Sequence, residues 1–232
     1  MEEMMSKKKQ DIMIVICVLT IVLSICAILC IYYGNKREEF IYNEHLDEVV
    51  LTVKDEETSI EISLKELAYY IINVEGDIDD MAHQFNNDNL NAYWNVKLDK
   101  GLYTVRDYAK DLVIDKCVMD NIYYLEALKN NITLTEEEEE LAGEDAQLIL
   151  KNLTSRQMDV ADFYYEDLYK IMMKLYITSK YVNTLSEEGH SMADLELKGS
   201  YYNEVKKNYL YTVENIWDSV KLGNLTVKTK ED

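Results

Sequence analysis

Tyr93-Trp94-Asn95-Val96-Lys97-Leu98-Asp99-Lys100-Gly101 leads into a long helical pattern from Thr104 to about Asn130. Thr104 and Asp107 have the spacing of a capping box, with Asp in place of the usual Glu, so a helix is expected to begin there. Apolar residues then recur on two neighbouring stripes, which are Ala109, Val113, Cys117, Tyr124 and Leu128, and Val105, Tyr108, Leu112, Met119 and Ile122. A helix with so wide an apolar arc needs other helices around it. We therefore expect a mainly α-helical domain built around this helix.

The residues before this helix predict a hairpin and a first helix. Apolar residues at Val49–Val53 and Ser59–Ser63 flank a polar turn, which is the pattern of a small β-hairpin. Ser63 and Glu66 then form a second capping-box pattern, followed by apolar residues at helical spacing up to the middle eighties. We interpret Tyr93 and Trp94 as an aromatic plug between helices, and expect Tyr93, Trp94, Tyr103 and Tyr108 to organise the fold.

The residues after the central helix predict more helix. Thr135 and Glu138 form a third capping box, and the carboxylates of 136–140 suit a solvated first turn, where the helix dipole favours them. The inner face of this helix is predicted to be Leu141, Ala142, Leu148 and Ile149. One further helical stretch is predicted from Ser155 to Leu185, and Val220–Val227 is predicted to be a small hairpin or a final strand.

An uninterrupted apolar run at residues 12–33 follows Lys7, Lys8 and Lys9. As a helix it would be roughly 33 Å long, which is enough to cross a bilayer. We interpret it as an uncleaved transmembrane anchor with residues 1–11 in the cytoplasm, since three lysines precede it. A cleaved signal peptide and a lipoprotein signal are alternatives. Both require a small residue at a defined place, just before the cut or just before the modified Cys, and Ile25 and Leu29 precede Cys26 and Cys30 instead.

Composition restricts the function. The chain has 24 Lys and Arg against 44 Asp and Glu, a net charge of −20, so binding to nucleic acid is not expected. It has no Pro and only 7 Gly, so it contains few helix-breaking residues and long helices are expected; it also has 19 Tyr. Three of the 4 Cys lie in the apolar run and Cys117 lies on a helix face predicted to be buried, so no structural disulfide is expected.

The aromatic pair, the capped central helix and the next helix start together resemble a known family. Tyr93-Trp94, a short loop with Asp and Gly, Tyr103-Thr104-x-x-Asp107-Tyr108-Ala109-Lys110-Asp111, and Asn131-Ile132-Thr133-Leu134-Thr135-Glu136 are similar to the N-terminal chaperone domain of the SurA/PrsA foldases. The resemblance covers roughly Leu51 to Leu185 and implies a SurA N-terminal or trigger-factor-like helical domain at 48–188. Residues 34–47 are polar and charged and are predicted to be a linker, and residues 189–232 are predicted to form a C-terminal helix and a short strand or tail.

The resemblance implies a chaperone, and isomerase activity of the family's parvulin type is not expected. Relatives place a parvulin isomerase domain after a segment like Tyr201–Tyr209, but only residues 210–232 follow here, too few for such a domain. His45, His83 and His190 lack metal-ligand spacing, and no phosphate-binding loop or nucleophile turn occurs. The sequence therefore predicts no catalytic residue, cofactor or metal.

The function expected from these patterns is a membrane-anchored, extracytoplasmic holdase for unfolded, newly exported polypeptides. Tyr and Met suit loose recognition of varied chains, because Tyr offers apolar area with a polar tip and Met adapts its shape. The predicted client groove contains Tyr69, Tyr70, Tyr164, Tyr165 and Tyr169. Two alternatives remain at this point: a dedicated adaptor or assembly factor for one envelope complex, and an isomerase-related foldase with an unrecognised site.

Overall fold

The structure, a computed structural model, describes residues 40–227, and from Ile41 onward these form one compact unit. It is mainly helical with one small antiparallel sheet. The helices are α1 (Leu64–Phe85), α2 (Leu90–Trp94), α3 (Val105–Lys129), α4 (Glu136–Asn152), α5 (Ser155–Ala161), α6 (Tyr165–Glu187), α7 (Met192–Leu195), α8 (Ser200–Lys206) and α9 (Ile216–Ser219). The strands are β1 (Val49–Lys54), β2 (Ser59–Ser63) and β3 (Leu210–Val213).

The predicted anchor at 12–33 lies outside the described residues. Among residues 40–227, no helix combines the length and the apolar character needed to cross a bilayer.

Helix α3 is the centre of the unit and packs against α1, α6 and α8. Its predicted capping box is confirmed: the Thr104 hydroxyl accepts the Asp107 N–H at 3.4 Å, and the Asp107 carboxylate accepts the Thr104 N–H at 2.8 Å. Cys117 is fully buried, as expected. The predicted stripes are wrong at Leu128 and Tyr108, which are 46% and 40% exposed, because the covering elements reach only one side of the first and last turns.

The predicted β-hairpin is confirmed, and it gains a third strand. β1 pairs antiparallel with β2, with Leu51 opposite Ile62, and its other edge pairs antiparallel with β3. The sheet order is β2-β1-β3, so the hairpin's first strand is central. Neither a hairpin nor a strand forms at 220–227, where both had been predicted as alternatives. Residues 210–213 supply the strand instead, because the exposed edge of β1 offers them backbone partners.

The single helical stretch predicted from Ser155 to Leu185 is also wrong, because two helices form there. Helix α5 ends at Ala161, because the next residue, Asp162, has a left-handed φ of 45° that stops the helix. Phe163 then turns inward and is 2% exposed, and α6 begins at Tyr165. The break redirects the chain, so that α6 runs along both α3 and α4.

The inner face predicted for α4 is partly wrong. Leu141 and Leu148 are 45% and 56% exposed, whereas Ala142, Gly143 and Ala146 are buried. The small residues form the contact face because they allow α6 to approach closely. A Cβ added at Gly143 would lie 3.0 Å from the Tyr165 hydroxyl, so α4 and α6 touch at this position. The larger leucines are left on a side of α4 that no other described element covers.

The α3 capping box gives a stability prediction. Thr104→Ala removes the side-chain acceptor and should lower the free energy of unfolding by about 1 kcal/mol, measured by urea denaturation and circular dichroism. Thr104→Ser keeps a hydroxyl and should remain within about 0.5 kcal/mol of the native protein. Equal losses for the two variants would show that the hydroxyl bond does not contribute.

Candidate functional site

An open groove between α4 and α6 is the best candidate site, and we call it the tyrosine groove. It has a volume of about 500 Å³ and is lined by Glu136, Glu139, Glu140, Gly143, Glu144, Gln147, Tyr165 and Tyr169. The two tyrosines come from successive turns of α6 and stack with their ring centroids 5.7 Å apart and their planes at 16°. Both are half-buried, so their rings form one wall of the groove while remaining accessible.

The opposite wall carries concentrated negative charge. Glu136, Glu139, Glu140 and Glu144 share a helical face with Gly143 and Gln147, since they are spaced by three, four and eight residues. Glu138 of the same acidic run points elsewhere and binds Lys180 of α6 at 2.6 Å, which holds the pKa of Glu138 below its usual range. The ion pair joins α4 to α6 beside the groove, while the four groove glutamates face solvent.

The structure brings together two of the five tyrosines predicted to line a client groove. Tyr165 and Tyr169 lie in the tyrosine groove, and Tyr164 precedes them in the chain with 60% of its surface exposed. Lys65 of α1 lies 5.1 Å from the centre of the Tyr164 ring. Tyr69 and Tyr70 pack edge to face at 5.5 Å on α1, and Tyr70 is only 4% exposed, so its ring contributes to the core.

The aromatics expected to organise the fold occupy different environments. Trp94 is fully buried. Tyr93 lies on the surface of the same helix, 5.4 Å from the ring of Phe85. The Tyr103 hydroxyl donates to Asp111 at 2.6 Å and thereby joins the loop before α3 to its second turn. Tyr108 is substantially exposed, so it provides little of the core.

A second cluster of polar side chains lies inside the unit, where α1, α3 and α6 meet. We call it the polar centre and define it as Glu66, Tyr70, Cys117, Asp120, Asn121 and Lys174. Lys174 binds Glu66 at 2.5 Å and donates to the Asn121 side-chain oxygen at 3.1 Å. The Asn121 amide donates to the Cys117 carbonyl at 2.8 Å. Asn121 is fully buried, so these bonds replace the water it has lost.

Burial changes the acid–base properties of the polar centre. Desolvation raises the pKa of Asp120 to about 6, partly opposed by a hydrogen bond from Tyr70 and by the charges of Lys116 and Lys174. Burial also raises the pKa of the Cys117 thiol. A thiol that stays protonated is a poor nucleophile, so Cys117 acts as a core residue. The polar centre therefore connects α1, α3 and α6 through hydrogen bonds and an ion pair.

A smaller depression of about 170 Å³ lies at the surface beside the polar centre. Its lining contains Lys65, Glu66, Asp167 and Lys174, which neutralise one another in two ion pairs of 2.9 and 2.5 Å. This depression therefore presents less uncompensated charge than the tyrosine groove. Within residues 40–227, no group of three or more His, Cys, Asp or Glu side chains is arranged to hold a metal ion.

Sequence reasoning missed the acidic wall of the groove and the small residue, Gly143, that lines it. The run 136–140 had been interpreted as a solvated helix start only. The signal was the continuation of the pattern through Gly143, Glu144 and Gln147, which places polar and small residues on one face for more than two turns. That face adjoins α6 near its start, where the tyrosines are.

Comparisons with known proteins do not assign this chain to a family. No family model, no curated protein and no solved structure matches it.

The shifted carboxyl of Asp120 predicts a pH-dependent stability. Its pKa is about 6 in the folded protein and roughly 3.9 in an unfolded chain, so the folded protein binds more protons between these values. Its contribution to stability is therefore largest below pH ~4 and is lost as the pH rises through ~6. Asp120→Asn keeps an oxygen to accept the Tyr70 hydroxyl and should be about 1–2 kcal/mol more stable than the native protein at pH 7.5.

Denaturant unfolding of both proteins from pH 4 to pH 7.5 measures this difference. The gap should close toward pH 4, where Asp120 is protonated. Asp115→Asn is the control, since Asp115 lies on the same helix with its side chain 39% exposed, and it should change stability by less than about 0.5 kcal/mol. A gap for Asp120→Asn that stays constant across this range would contradict the assignment.

Proposed function

We propose that this chain is a holdase that binds unfolded polypeptide segments in the tyrosine groove. The observation that carries the proposal is the groove itself: an open volume of about 500 Å³ with two stacked tyrosines facing four glutamates. Tyrosines supply a large contact area at low entropy cost, so they tolerate many side-chain types. The resemblance of Leu51–Leu185 to the chaperone domain of SurA/PrsA foldases supports the same role.

The charge of the groove indicates which segments it favours. Glu136, Glu139, Glu140 and Glu144 attract Lys and Arg side chains, and an aromatic wall adds cation–π attraction. The whole chain has a net charge of −20, which strengthens this preference at long range. The groove therefore suits unfolded segments in which basic residues alternate with apolar or aromatic ones.

The proposed location is the outer face of a membrane. Residues 12–33 serve as the anchor, residues 1–11 remain in the cytoplasm, and the helical domain lies on the extracytoplasmic side. In this position the groove meets polypeptides as they emerge from export, before they fold. Binding and release in this proposal need no covalent chemistry.

A second candidate function is a dedicated adaptor, favoured by an apolar loop. Leu98 and Leu102 lie between α2 and α3 and are 50% and 83% exposed. Two exposed leucines on one loop suit docking to a single fixed partner better than sampling of many clients. The two functions use different surfaces and can therefore be separated.

Aggregation assays test the holdase role. The full chain in lipid nanodiscs should slow the aggregation of several chemically unfolded proteins, more for basic substrates than for acidic ones. Combined Tyr165→Ser and Tyr169→Ser changes should weaken substrate binding about fivefold or more, since each removes a central contact. Tyr108→Ser is the matched control, because it removes an exposed tyrosine outside the groove. Equal activity of the groove variant and the native chain would refute a role for the groove.

Site-specific photo-crosslinking in cells distinguishes a holdase from an adaptor. A crosslinker at Gln147, in the groove, should capture many exported polypeptides, with the yield reduced by the Tyr165→Ser and Tyr169→Ser changes. A crosslinker at Lys100, in the apolar loop, is the comparison position. One stoichiometric partner from Lys100, with no captured clients from Gln147, would establish the adaptor in place of the holdase.

A further inference from the structure

The segment after α9 returns to the helices and is held there by side chains. Residues 220–227 form no helix or strand, yet Val220, Leu222 and Thr226 are at most 3% exposed. They lie in a cleft that we call the tail cleft, defined by Glu75 of α1, Trp94 of α2, Arg106 of α3 and Arg156 of α5. A segment without regular structure must obtain its buried hydrogen bonds from its surroundings.

Glu75 provides most of these bonds. Its carboxylate is fully buried, although it lies within the apolar stripe of α1. One oxygen accepts the backbone N–H of Gly223 and that of Leu225, the latter at 3.3 Å. The other oxygen accepts the Thr226 N–H and the Thr226 hydroxyl, both at 2.5 Å. Three of these four donors are backbone groups. The binding of Glu75 to the segment therefore depends more on its backbone conformation than on its side chains.

Arg156 holds the same segment from the outside. Its Nε donates to the Leu225 carbonyl at 2.9 Å, and its Nη2 donates to the Asn224 carbonyl. The Glu75 carboxylate therefore accepts hydrogen bonds from the N–H groups of one short stretch, while the Arg156 guanidinium donates to C=O groups of the same stretch. The segment bends through residues 223–227, and most of its bonds to Glu75 and Arg156 come from backbone groups, which every polypeptide carries.

Two positions of the segment are nevertheless selective. Gly223 has a φ of +86°, and a Cβ there would lie 2.5 Å from an Arg106 guanidinium nitrogen and 2.7 Å from a Trp94 ring carbon. Only glycine fits, for both conformational and steric reasons. Three residues later, the Thr226 hydroxyl donates a hydrogen bond to Glu75, and an apolar side chain at this position would lose that bond.

One residue of the cleft has a buried donor without a partner in residues 40–227. Trp94 is fully buried against Gly223, and its indole Nε1 has no hydrogen-bond partner among the residues that the structure describes. A buried indole N–H usually has an acceptor. With the chain's own segment in place, a donor of one cleft residue is therefore left unsatisfied within the described part of the chain.

We propose that the tail cleft is an exchangeable peptide-binding site in which residues 222–226 are the resident occupant. Its other occupant is a segment of a second polypeptide that adopts the same bent path, with Gly at the position of Gly223 and Thr or Ser three residues later. Glu75 and Arg156 bind the backbone of either occupant, and Trp94 and Arg106 exclude any residue larger than Gly. The site is separate from the tyrosine groove and does not depend on the holdase function.

Peptide binding to the full chain tests this proposal. The probe is a fluorescein-labelled peptide that copies residues 220–227, and the measurement is fluorescence anisotropy. The full-length Gly223→Ala variant is the receptor, because its own segment no longer fits the cleft. It should bind the probe about 10-fold or more tightly than the native chain does, since the resident segment competes in the native chain.

Two matched controls make the result specific. A peptide with Ala in place of its Gly should bind the Gly223→Ala chain about 10-fold or more weakly than the probe. Adding Glu75→Gln to the receptor should weaken probe binding by about 10-fold or more, because charged acceptors make the stronger hydrogen bonds. Combined Tyr165→Ser and Tyr169→Ser changes should leave probe binding unchanged, which separates this site from the groove.

The proposal is overturned if a folded Gly223→Ala chain fails to bind the probe, or binds the Gly and Ala peptides equally. If thermal unfolding shows that Gly223→Ala does not fold, Thr226→Val becomes the receptor, because it removes only the hydroxyl bond of the resident segment. It should also bind the probe more tightly than the native chain. Failure of a folded Thr226→Val chain to do so has the same meaning.

Discussion

Helix α3 has to be covered on almost every side, and this requirement determines where the other helices of the described unit pack. Its 25 residues bury side chains around a wide arc, from Val105 in the first turn to Ala127 near the end. The hydrophobic effect contributes roughly 25 cal/mol for each Å² removed from water, so leaving any part of this arc exposed is unfavourable. Helices α1, α6 and α8 meet the requirement from different directions.

The covering helices are also fixed by a polar requirement. Asn121 lies fully buried on α3 and must have partners for its amide. Its oxygen accepts from Lys174 of α6, and Lys174 in turn pairs with Glu66 of α1. A rotation of α6 would therefore cost a buried hydrogen bond and an ion pair together, whereas apolar contacts alone tolerate sliding. The polar centre sets which face of each helix points inward.

The excess of acidic residues explains where the binding surfaces lie. A chain with a net charge of −20 cannot bury its carboxylates without partners. Glu66 is paired with Lys174, and Glu75 accepts from the backbone amides of Gly223, Leu225 and Thr226. Helix α4 instead gathers four exposed glutamates on the side that meets Tyr165 and Tyr169. The same rule explains an open acidic groove and a closed cleft in which the buried Glu75 carboxylate has several donors.

The elements that the sequence predicted well are those with local signals. Thr104 with Asp107 and Thr135 with Glu138 mark helix starts because both partners of each cap lie within one turn. Features that depend on distant residues were missed. The pairing of Leu210–Val213 with β1 joins segments far apart in the chain, and nothing local encodes it. The size of Leu141 and Leu148 predicts burial, whereas close packing against α6 buries Gly143 and Ala146 instead.

Glu75 shows what a sequence can reveal about a site before its partners are known. A carboxylate among Ala68, Ile71, Val74 and Ile78 breaks an apolar stripe, and burying it alone would be strongly unfavourable. Such a residue must therefore be satisfied by donors from elsewhere in the chain or from a ligand. The number and type of those donors were not predictable, since they are backbone groups of a segment without regular structure. Three of the donors to Glu75 are backbone groups, which are common to every polypeptide, so the requirement specific to this segment comes from the space beside Trp94 and from the Thr226 hydroxyl.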